Sequence, residues 1–150
     1  MKLTAKQIGF TIVELLIVIV VIGILATITI AVYNGVQQRG RDSMRTSDVR
    51  SVQKAIEMYK IDTGSYPQAI SGGTPVADGA GTALSNLSTV LTPTYLATIP
   101  SDPKVGVYYS YVRQDTWGRY AVLISYEAKT VCHLGAGNQG IAYWGYQACT

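Results

Sequence analysis

Residues 12–33 are almost uniformly apolar. One acid, Glu14, stands near the start, and residues 15–38 then run for 24 positions without Asp, Glu, Lys or Arg. As a helix this run rises about 36 Å, enough to cross a hydrocarbon core of about 30 Å. The pattern then changes. Val49, Val52, Ile56 and Tyr59 recur at spacings of 3, 4 and 3, while Arg50, Lys54, Glu57 and Lys60 fall on other faces. That is the stripe of a helix with one side buried. Thr63-Gly64-Ser65-Tyr66-Pro67 ends it, with Gly64 suited to the position after the last turn and Pro67 unable to continue. One helix over residues 10–62 is predicted, with Gly35 and Gly40 as the positions where it bends.

Beyond it the periods shorten. Residues 68–82 are rich in Gly, Ala, Ser and Thr and read as an exposed loop. Leu84, Leu87 and Leu91 share one side of a short helix over 84–91 that stops before Pro93. Residues 105–113, 119–127 and 130–134 are β-branched and aromatic, and 141–146 is a candidate fourth strand after the glycine-rich loop 135–140. The short connections 114–118 and 128–129 favour antiparallel pairing. The expected fold is α+β: a long N-terminal helix, membrane-spanning in its first half and amphipathic in its second, packed on a small C-terminal antiparallel sheet.

An acid inside a segment bound for lipid is a functional hypothesis by default. The residues leading to it read Gly9-Phe10-Thr11-Ile12-Val13-Glu14. This run, followed by an uninterrupted apolar helix, resembles the processing site of the type IV pilins and their relatives, the type II secretion pseudopilins. The resemblance implies cleavage by a prepilin peptidase between Gly9 and Phe10, N-methylation of Phe10, and retention of Glu14 in the membrane helix. There it would set axial register by meeting the Phe10 amine of a neighbouring subunit. It further implies a leader over 1–9, a membrane and filament-core helix over 10–38, and a head domain over 39–150 that includes the amphipathic half of the helix. The proline that many filament-forming relatives carry in this helix is Ala31 here.

The reading that follows is a type IV pilus subunit: a single-pass precursor in the cytoplasmic membrane with its N-terminus inside. It would then polymerise into an extracellular homo-oligomeric filament for adhesion, twitching or DNA uptake, driven by an inner-membrane platform and its ATPase. One alternative is the major pseudopilin of a type II secretion system. Thr63–Pro67 and the stretch 95–103 resemble the loop region of the major pseudopilins and of related pilins. A second alternative is a membrane-anchored binding module or enzyme. A secretory signal has too short an apolar core to match this run, and a plain signal anchor leaves Glu14 without a purpose.

Composition adds limits. Loss of the leader removes Lys2 and Lys6, leaving 10 basic and 9 acidic residues in place of 12 and 9. A near-neutral chain gives no electrostatic case for DNA, and Arg39, Arg41, Arg45 and Arg50 read as a solvated helix face. Arg39, Arg41 and Arg45 also lie at the end of the apolar run where the positive-inside rule disfavours them. Eleven tyrosines against one phenylalanine suit half-exposed sheets and subunit contacts. Cys132 and Cys149 lack the spacing or company of a zinc site. In an extracytoplasmic domain they are expected to form a disulfide, free thiols being the alternative. His133, the single histidine, has no partners for a catalytic set. No cofactor is expected; the one metal considered is calcium, which the resemblance to pseudopilin loops implies at Asp102, with only Asp115 and Glu127 as further acids. No residue is assigned as catalytic.

Overall fold

The computed structural model describes residues 9–135 and 147–149. The leader residues 1–8 and the expected strand 141–146 lie outside them. The chain divides into two compact units, Met1–Gln37 and Gln38–Thr150.

Helix α1, Ile12–Thr63, is continuous through Gly35 and Gly40. Within the first unit its large apolar side chains are exposed on every side, from Ile12 through Val36, as expected of a segment whose partner is lipid or another chain. Two threonines are accommodated by donating back to the helix: Thr27 Oγ1 to the carbonyls of Gly23 and Ile24, and Thr29 Oγ1 to that of Leu25.

In the second unit the helix ends as its sequence requires. Gly64 adopts φ +82° and donates its N–H to the Lys60 carbonyl at 2.8 Å, a left-handed cap that a side chain would strain. The expected stripe is buried: Val49, Val52 and Ile56 have no exposed surface, and Tyr59 packs at the edge of the same cluster. Opposite it lies a five-stranded sheet in the order β3 (Gly81–Ala83), β4 (Ser110–Gln114), β5 (Arg119–Ile124), β6 (Cys132–Leu134), β7 (Gln147–Ala148). Strands β3 to β6 pair antiparallel; β7 adds to β6 in parallel. Alternate residues of β5, namely Tyr120, Val122 and Ile124, join the helical stripe in one core.

Several boundaries differ from expectation. The first two long strands are shorter than expected at one end each, β4 starting at Ser110 and β5 stopping at Ile124; just beyond them Tyr109 and Tyr126 reach Asp48 and Thr46 of α1. The loop 68–82 contains a small hairpin, β1 (Ile70–Ser71) with β2 (Thr74–Pro75), and ends in the edge strand β3. The short helix is split into a 3-10 turn, Leu84–Leu87, and α2, Ser88–Leu91, with Leu84, Leu87 and Leu91 all in the core. Gly135 follows β6 where a Cβ would come within 2.2 Å of the Tyr120 carbonyl oxygen, so only glycine fits the approach. The tyrosines are more buried than half-exposed sheets require. Tyr66, Tyr109, Tyr111 and Tyr120 are core residues, and the hydroxyls of Tyr109 and Tyr111 reach Asp48 Oδ2 at 3.0 Å and the Pro67 carbonyl at 2.9 Å. Burial pushes the Tyr109 and Tyr111 hydroxyls well above the ordinary tyrosine range.

Candidate functional site

Residues 9–11 are not helical, and Gly9 and Phe10 are exposed. The bond between them therefore lies in open chain, just ahead of the first turn of α1. Thr11 and Glu14 form a reciprocal cap. Thr11 Oγ1 accepts from the Glu14 N–H at 3.2 Å, and Glu14 Oε2 accepts from the Thr11 N–H at 3.4 Å. The motif Thr-x-x-Glu is that of a capping box, and an acid in the first turn also faces the positive end of the helix dipole. Sequence reasoning passed over this local role of Glu14, although Thr11 three residues before it was the visible signal. The cap fixes where the helix begins. It leaves residues 9 and 10 outside the helix.

The second constellation lies in the head unit. Arg45, expected to be solvated, is fully buried and is the hub of an ionic network. Its Nε donates to Asp102 Oδ2 at 2.7 Å, its Nη2 to Asp102 Oδ1 at 2.8 Å and to Glu127 Oε1 at 3.0 Å, and its Nη1 to Asp42 Oδ1 at 2.6 Å. Arg41 grips both oxygens of Glu127, at 2.7 and 2.8 Å. Asp42 also accepts from the N–H groups of Glu127 and Ala128, each at 3.0 Å. Hydrogen bonds from Arg41, reinforced by Arg45, lower the Glu127 carboxyl to about 2. Burial opposes ionisation of Asp42 and Asp102, yet hydrogen bonds from backbone N–H groups and Arg45 outweigh it and hold both below their usual range. The Arg45 guanidinium is held charged chiefly by Asp102. The network ties α1 to the loop at Asp102 and to the chain leaving β5.

This arrangement changes how Asp102, Asp115 and Glu127 read as calcium ligands. Both oxygens of Asp102 are committed to Arg45, one also accepting from the Lys104 N–H at 2.8 Å. Asp115 pairs with Arg113 at 2.9 Å, and Glu127 belongs to the arginines. Among the described residues no three His, Cys, Asp or Glu side chains are grouped to hold a metal ion. Arg41 and Arg45 are likewise committed to carboxylates, which weakens the solvated-face reading of residues 39–50.

At the far end of the sheet Cys132 and Cys149 form a disulfide with Cα atoms 5.0 Å apart. It fastens β7 to β6, where the Cys149 N–H also donates to the His133 carbonyl at 3.1 Å. His133 is buried in β6, and neither ring nitrogen has a hydrogen-bond partner among the described residues.

Comparison with known proteins follows the same division of the chain. The family model for the prokaryotic N-terminal methylation motif matches residues 4–30, and that for type II secretion system protein G matches residues 33–139. The type II secretion system core protein G of Klebsiella michiganensis is 30% identical over 126 residues, covering 80% of this chain and 75% of that protein. The protein of the same name from Aeromonas hydrophila is 28% identical over 120 residues, 80% of this chain and 74% of that one. That of Escherichia coli K12 is 36% identical over 72 residues, so the match spans about half of either chain. No solved structure matches the chain significantly. Of the two branches of the pilin resemblance, these matches favour the secretion pseudopilin over the surface pilus. With more than half of its length matched by that family model, the chain belongs to the family of type II secretion system protein G, the pseudopilin branch of the type IV pilin relatives.

Proposed function

We propose that this chain is the precursor of the major subunit of a type II secretion pseudopilus. It is cut between Gly9 and Phe10 by a prepilin peptidase, N-methylated at Phe10 and polymerised without covalent bonds. Its role is structural rather than enzymatic, and its filament lies in the periplasm rather than on the cell surface. Before assembly the apolar part of α1 anchors the chain in the cytoplasmic membrane with the head outside. Assembly exchanges lipid for neighbouring helices around the same side chains, so extraction from the bilayer is offset by burial in the filament. Energy for the transfer comes from a separate membrane platform and its ATPase.

The observation that carries this reading is the junction at Thr11. An exposed, non-helical Gly9–Phe10 bond abuts a capped helix whose only early charge is Glu14. After cleavage the Phe10 amine is a cation one turn from that carboxylate. Two desolvated charges of opposite sign are tolerable only when paired, and pairing with an adjacent subunit sets the axial register. Co-expression with a prepilin peptidase tests it: mass spectrometry of the product should show a chain beginning at N-methylated Phe10, and Gly9→Val should retain the leader. Glu14→Gln should be processed yet fail to form filaments. An uncut wild-type chain, or normal polymer from Glu14→Gln, overturns the reading.

A further inference from the structure

One cleft in the head unit has no part in the functions above. It has a volume of about 450 Å³ and is lined by Arg39, Asp42, Ser43 and Thr46 of α1 and by Tyr126 and Lys129 beyond β5. Its charges are unequal in their commitments. Asp42 is turned inward, both oxygens engaged by Arg45 and by the N–H groups of Glu127 and Ala128. Thr46 Oγ1 donates to the Asp42 carbonyl at 3.0 Å and shares a hydrogen bond with the Tyr126 hydroxyl at 2.8 Å. Arg39 and Lys129 have no ion-pair or hydrogen-bond partner among the described residues. Two unspent cations and the Ser43 hydroxyl thus line a cleft whose acid is already neutralised.

The position of Arg39 in the chain indicates what anion would meet it. It is the first charged residue after the 24-residue run 15–38, one residue past the end of a stretch that fits the bilayer core. The positive-inside rule makes basic residues at that end unexpected. Arg41 and Arg45 are explained by Asp42, Asp102 and Glu127; Arg39 and Lys129 are not. A guanidinium fork and a flexible ammonium suit a phosphate diester.

We propose that this cleft holds the phosphate of an acidic phospholipid headgroup while the chain is anchored in the membrane. The proposal rests on the anchored-precursor reading. It makes the headgroup contact a property of the stored subunit, given up on extraction into the filament.

The test uses the full-length chain in neutral detergent micelles, titrated with phosphatidylglycerol, phosphatidylcholine or inorganic phosphate, with bound lipid counted by native mass spectrometry. Phosphatidylglycerol should be retained in preference to phosphatidylcholine. Arg39→Gln and Lys129→Gln should each weaken retention roughly fivefold, and the double variant roughly 25-fold, since a basic residue near an anionic surface contributes about one factor of five. Both positions are exposed, so the fold should be kept, as circular dichroism can verify. Arg50→Gln, a charge change outside the cleft, should leave retention as it was.

Equal retention by the double variant overturns the proposal. So does an equal loss in Arg50→Gln, which would mean diffuse charge, or displacement of the lipid by equimolar inorganic phosphate, which would mean a free-anion site. A double variant that binds lipid normally but no longer polymerises assigns the cations to subunit contact instead. Flotation with neutral vesicles separates the two levels: a chain that does not float refutes anchoring itself, whereas one that floats but shows no phosphatidylglycerol preference in the micelle titration refutes only the cleft.

Discussion

The guanidinium of Arg45 donates to both carboxylate oxygens of Asp102, 57 residues further along the chain, and neither side chain has exposed surface. Removal of one partner from such a pair strands a charge in the interior and costs roughly 3–5 kcal/mol, although the intact pair is no stronger than well-packed apolar replacements. Asp102→Ala should therefore lower the urea midpoint by the equivalent of about 3 kcal/mol. Arg45→Met should cost at least as much, because it leaves Asp42, Asp102 and Glu127 facing one another. The slope of the unfolding curve should not change, since the surface exposed on unfolding is the same. A loss below about 1 kcal/mol in Asp102→Ala would show that the network is solvated in the working protein.

The same network predicts an acid-sensitive head. Glu127 titrates near 2 in the folded chain against 4.5 for the free side chain, because Arg41 and Arg45 hold its charged form. A depressed carboxylate supplies stability that is fully present above its unfolded value and is lost as pH falls through its folded one. Asp42 and Asp102, also lowered, act in the same direction. The thermal midpoint should be flat from neutral pH to about 4.5 and fall steadily toward about 2. Glu127→Gln should start lower at neutral pH and lose less on acidification. If acid lowers both proteins equally, Glu127 is not among the groups responsible.

Much of this architecture is legible in the pattern of residues. The run 15–38 and the stripe Val49, Val52, Ile56, Tyr59 describe α1 to within a few residues at either end, and Gly64 marks its stop by backbone conformation. The junction Gly9–Glu14 is readable as a motif. Three things were harder. Continued backwards, the stripe at spacings of 3 and 4 lands on Arg45 and Asp42, charged residues where apolar ones were due. That is a signal of a buried ionic network, but its partners Asp102 and Glu127 are distant in sequence and no local rule selects them. The parallel strand β7 is only two residues long and lies beside a disulfide, so propensity gives no signal for it. Just beyond the strand ends at Ser110 and Ile124, Tyr109 and Tyr126 hydrogen-bond to α1, a long-range contact that alternation does not reveal.

The disulfide should matter more than the strand it secures. Cys132 and Cys149 are 17 residues apart, and closure of a loop of this size stabilises by about 3 kcal/mol in the chain-entropy account. Parallel pairing over Cys132–Gln147 and His133–Ala148 is too short to persist by itself. A Cys132→Ser/Cys149→Ser chain should lose roughly 3 kcal/mol by denaturant unfolding, and hydrogen exchange at the amide of position 149 should rise well before that of β4 and β5. Equal protection of β7 in the reduced and oxidised proteins would mean that packing, not the crosslink, holds it.

The two sides of α1 in the head should respond very unequally to truncation. Ile56 has no exposed surface and sits among Val49, Val52 and the tyrosines of the sheet, whereas Ile61 is 81% exposed on the same helix five residues later. Removing three methyl or methylene groups from a closed core costs roughly 2–5 kcal/mol, part of it from the cavity left behind. Ile56→Ala should therefore shift the unfolding midpoint of the chain strongly. Ile61→Ala has no cavity to leave and should stay within about 0.5 kcal/mol. The contrast separates folding from assembly. A contact of Ile61 in the filament would appear as a loss of polymer from a variant of unchanged stability, and Ile56→Ala would lose both together. A strong stability loss in Ile61→Ala would contradict the exposed face assigned to α1 beyond Tyr59.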